Sequence, residues 1–136
     1  VGFLNSGIAK IAIQNEYGAK VTVSEEYRNR AIAKGIPESE IPKTIVIPPR
    51  PFMQTTVDKY SKEWINQFQQ LLKKYDYDIE KATSVLGELI VGQIQKTIRD
   101  GDWIKNGRFA AKVKGFNKPL IDTGDMLRAI AYEIIK

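Results

Sequence analysis

Across residues 51–100, apolar side chains recur every three or four positions, the spacing of helices that bury one face. Met53, Val57, Tyr60, Trp64, Phe68 and Leu71 make one stripe and predict a helix over 51–73. Pro51 fits its first turn, where a missing N–H costs least. With a rise of ~1.5 Å per residue, that helix is about 35 Å long. Ile79, Ala82, Leu86, Ile90, Ile94 and Ile98 make a second stripe over 78–99. Val85, Leu89 and Val91 widen it, so this helix is expected to be covered on more than one side. Gly87 and Gly92 each weaken a helix by ~1 kcal/mol relative to Ala, and the expected return is the close approach of another backbone.

The first fifty residues carry shorter signals. Val1 to Leu4 is apolar and reads as a strand. Asn5 or Ser6 can cap a helix running through Ile8, Ala9, Ile11, Ala12 and Ile13 to Tyr17, with Gly18 as its stop. Lys20 to Val23 reads as a strand, and Ser24 can cap a helix carrying Tyr27, Ala31 and Ile32 that Gly35 ends. The β-branched run from Lys43 to Ile47 predicts another strand, halted by Pro48 and Pro49.

Beyond the second long helix, periodicity is lost over residues 100–119. This predicts a long loop, with 101–119 mobile and a loose strand pair around Phe109 to Val113. Asp122 or Thr123 then caps a short helical turn through Leu127, and Ala129 to Ile135 alternates as a closing strand. The fold class is α+β: a small, mostly antiparallel sheet packed against two long helices, with a long basic loop, in one domain spanning 1–136.

Composition narrows the chemistry. The chain has no Cys and no His, which excludes thiol nucleophiles, disulfides, imidazole bases and Cys/His metal sites. No serine elbow and no glycine-rich phosphate loop is present. Asp122 and Asp125 could hold Mg²⁺, but caps for a helix start are the plainer account. Asp76, Asp78 and Glu80 lack the glycine and final Glu of a calcium loop and fit the turn between the long helices. The expectation is a protein without catalytic residues, metal or cofactor. No run approaches the ~20 apolar residues of a membrane span, and no signal-peptide pattern is visible.

The net charge of +5 is concentrated in one place: Lys105, Arg108, Lys112, Lys114 and Lys118 equal the whole excess, with no acid among them. Phe109 and Phe116 interleave these cations, a composition that suits contact with a nucleic-acid backbone and equally suits a solvated loop. A small basic nucleic-acid-binding domain acting through residues 105–118 is therefore the competing function. The Pro48-Pro49-Arg50-Pro51-Phe52 run joins a strand to a helix and reads as a rigid connector rather than a polyproline ligand. Arg50 is expected to pair with a carboxylate such as Glu16, pinning the first helix to this turn.

Three blocks carry a family resemblance. Ile11 to Gly18 reads IAIQNEYG, Ile47 to Phe52 reads IPPRPF, and Lys118 to Ile134 reads KPLIDTGDMLRAIAYEI, with two helices between the second and third. In that order they resemble the virion-morphogenesis proteins of tailed bacteriophages and prophages, the neck and tail-completion proteins. The matching residues are Glu16, Tyr17 and Gly18; Ile47, Pro48, Arg50, Pro51 and Phe52; and Pro119, Leu120, Asp122, Thr123, Gly124 and Leu127. The chain departs from the pattern after Gly101-Asp102-Trp103, where a proline-asparagine loop is replaced by Ile104-Lys105-Asn106-Gly107-Arg108, and in the longer insertion from Val21 to Thr44. The resemblance implies a non-enzymatic structural protein at the head–tail junction or upper tail end, found in the virion and, during assembly, in the host cytoplasm. It also implies self-assembly into a ring, for which six subunits would match the symmetry of a tail tube, between a head-side connector or portal adaptor and the tail-tube or terminator proteins. DNA would be met only transiently in the lumen, through the five basic loop residues, and no membrane is involved.

Overall fold

The computed structural model describes residues 1–101, 103 and 125–135. Strand β1 (Gly2–Phe3) leads into helix α1 (Ser6–Tyr17), strand β2 (Ala19–Thr22), helix α2 (Glu25–Ala33), a 3₁₀ turn (Glu38–Glu40) and strand β3 (Thr44–Ile47). The two long helices follow, α3 (Phe52–Lys74) and α4 (Ile79–Asp100), then a short helix α5 (Asp125–Arg128) and strand β4 (Ile130–Ala131). The mixed α and β content agrees with the expected class. Among the described residues, however, the sheet is two separate antiparallel ribbons, β1 with β4 and β2 with β3.

Local chemistry explains where the helices start. Asn5 Oδ1 accepts the N–H groups of Gly7 and Ile8 at 3.0 and 3.2 Å, and Ser24 Oγ accepts that of Tyr27 at 3.1 Å. Asp78 Oδ1 accepts the Lys81 N–H at 3.1 Å, so this acid caps α4. The turn between α3 and α4 holds Asp76 and Tyr77 at φ 54° and 62°, the left-handed region. There the Tyr77 N–H donates to the Leu72 carbonyl at 2.6 Å and closes the end of α3. A non-glycine residue in that region costs roughly 1–2 kcal/mol.

The β1–β4 ribbon is shorter than the alternation of residues 129–135 implies. A strand extends only as far as its partner, and β1 offers two residues: Gly2 faces Ala131 and Phe3 faces Ile130. The expected strand over Ala129 to Ile135 is thus cut to Ile130–Ala131. Tyr132 continues across α4 at Gly87, where an added Cβ would lie 2.8 Å from the ring. A side chain, rather than the expected backbone, makes this close approach. At Gly92 an added Cβ would meet none of the described residues outside its own helix backbone within 4 Å.

The main core joins Ala12 of α1, Phe52 of α3, Ile94 and Ile98 of α4, Met126 of α5 and Ile130 of β4. Phe3 meets Phe52 edge-on at 6.0 Å. Thr56 Oγ1 bridges the helices, 2.8 Å from Thr97 Oγ1, and also donates to the Phe52 carbonyl. A second, smaller cluster of Ala31, Ile36 and Ile41 lies under α2. As expected, α4 has neighbours on two sides, α3 and β4. On α3 only Phe52 and Thr56 are fully buried; along the apolar stripe Met53, Tyr60, Trp64, Phe68 and Leu71 are partly buried and Val57 is exposed.

Candidate functional site

The first two sequence blocks meet at one junction, where α1 ends and α3 begins. Pro51 precedes α3 and supplies no side-chain cap. Glu16, thirty-odd residues earlier in the chain, supplies it: its Oε2 accepts the Met53 N–H at 3.0 Å and its Oε1 accepts the Gln54 N–H at 2.9 Å. A carboxylate at this end also opposes the positive pole of the helix dipole. Gly18 sits at φ 77°, and a Cβ there would press to 2.9 Å from the Ile47 carbonyl oxygen, so glycine is required where the chain turns from α1 into β2.

Asn15 holds the proline-rich turn. Its carbonyl accepts the Arg50 N–H at 2.6 Å, and its Oδ1 accepts from Arg50 Nη1 at 3.1 Å. The amide is itself oriented by a 2.9 Å bond from its Nδ2 to the Ile11 carbonyl. Arg50 is 4% exposed, and desolvation lowers its guanidinium below the ordinary arginine value. The first helix is pinned to this turn by Asn15, which binds Arg50, and by Glu16, which binds the α3 backbone, in place of the expected Arg50–Glu16 pair. Tyr17 is 78% exposed, and Phe52 is wholly buried. The second block therefore divides into a core anchor, Phe52, and a clamped connector around Arg50 and Pro51.

Beside this junction an apolar groove of about 380 Å³ opens between α1, β1 and α3, with Ile13, Glu16, Tyr17, Phe52 and Met53 on its walls. It adjoins a second hollow of about 290 Å³ between α3 and α4, and Met53 and Val57 line both. Ile13 at the mouth is 59% exposed. A helix apolar around most of its circumference is normally covered on more than one side. In α1, Ala12 faces the core while Ile11, Ile13 and Tyr17 remain exposed. The groove has room for apolar side chains.

Several expected site residues lie outside the described residues: Lys105, Arg108, Lys112, Lys114 and Lys118 of the basic loop, and Pro119, Leu120, Asp122, Thr123 and Gly124 of the third block. Asp125 begins α5, and Leu127 packs against the main core. Among the described residues no three acidic side chains gather as metal ligands, and no helix is long and apolar enough to cross a membrane. Sequence reasoning missed the groove. Its signal was the excess of isoleucines on α1, Ile8, Ile11 and Ile13, more than one core-facing stripe uses. No family model, curated protein or solved structure matches this chain.

Proposed function

We propose that this chain is a non-enzymatic structural protein of a tailed phage or prophage, acting at the head–tail junction or upper tail end as one subunit of a ring. Its partners on this reading are further copies of itself, the head-side connector or portal adaptor, and the tail-tube or terminator protein. The observation that carries the reading is the ordered set of three sequence blocks, from Ile11, Ile47 and Lys118 onward. The use the fold makes of the first two supports it, because Asn15 and Glu16 grip the turn and helix that begin at Arg50 and Phe52. A rigid junction beside an exposed apolar groove suits a protein that works by fitting other surfaces.

Electron microscopy of the purified protein, alone and mixed with tail tubes, tests the reading. Rings, or caps on tube ends, are expected. Particles that neither close nor associate with tubes would overturn it. The charge run at Lys105, Arg108, Lys112, Lys114 and Lys118 favours a second reading, a small nucleic-acid-binding domain. That reading requires micromolar affinity for duplex DNA at physiological salt, lost when the first four become Ala, with a salt slope of about −4 to −5 for the intact chain.

A further inference from the structure

We draw no further inference here: the strongest candidate, the apolar groove between α1, β1 and α3 with the exposed Ile13 and Tyr17 on its walls, carries nothing because no feature of the described residues shows what covers it.

Discussion

Removing the Glu16 carboxylate should unfasten α3 from α1. The side chain accepts two backbone N–H groups at 3.0 and 2.9 Å, at a helix start whose N-cap residue is proline. A hydrogen bond to a charged group is worth ~1.5–3 kcal/mol net, and a carboxylate near a helix N-terminus adds ~0.3–1 kcal/mol. The Gln54 N–H lies at an exposed site and water can replace its partner, whereas the Met53 N–H is partly buried beside the groove. Counting the first bond as mostly recoverable and the second as mostly lost, Glu16→Ala should cost about 2–3 kcal/mol. Glu16→Gln keeps one carbonyl acceptor and loses the charge, and should cost about 1 kcal/mol. For a domain of this size each kcal/mol lowers the melting temperature by roughly 3–5 °C. Urea titration and thermal melts followed by helical circular dichroism read both values. A loss below about 0.5 kcal/mol for Glu16→Ala would refute the long-range cap.

Three further outcomes follow from the packing. Gly87→Ala should cost about 1–3 kcal/mol, because its Cβ would fall 2.8 Å from the Tyr132 ring; Gly87→Ala combined with Tyr132→Ala should recover most of that loss in urea titration. Asp76→Gly should raise stability by about 1 kcal/mol, since Asp76 sits at φ 54° and glycine relieves that strain, and a lowered denaturation midpoint would contradict it. Asn15→Ala and Arg50→Lys should be non-additive by at least about 0.5 kcal/mol in a double-mutant cycle, because Oδ1 and Nη1 are 3.1 Å apart; additive losses would break the clamp.

Features that act over a few residues were legible in the sequence. Asn5, Ser24 and Asp78 each cap the helix that follows, and such caps need only a short polar side chain and the next N–H groups. Gly18 and Gly35 end α1 and α2 at positive φ, where glycine avoids the steric cost of a side chain. The stripes from Met53 and from Ile79 placed α3 and α4 to within a residue at each end. Periodicity reports that a face is apolar without naming what covers it. Phe52 and Thr56, outside the predicted stripe, proved to be the buried residues of α3, while Val57, within it, is 40% exposed.

The candidate site was only partly legible, because it depends on contacts across sequence distance. The sequence suggests Glu16 as a partner for Arg50, and its role as the cap of α3 appears only when folding brings Met53 and Gln54 beside it. Thr56 reads as a polar interruption, until Thr97 meets it across the hairpin. The closing strand was overlong for the same reason: alternation over Ala129 to Ile135 describes one chain, whereas a ladder needs a partner, and β1 supplies two residues. The groove lies where three elements leave a gap; the isoleucine excess on α1 signals an uncovered face without locating that gap.

Immunogold labelling of phage particles that carry this chain tests the central claim most directly. The account predicts label at the head–tail junction or the upper end of the tail, in particles that also contain the chain after DNA packaging. Label confined to unpackaged lysate, or to DNA away from particles, would contradict it.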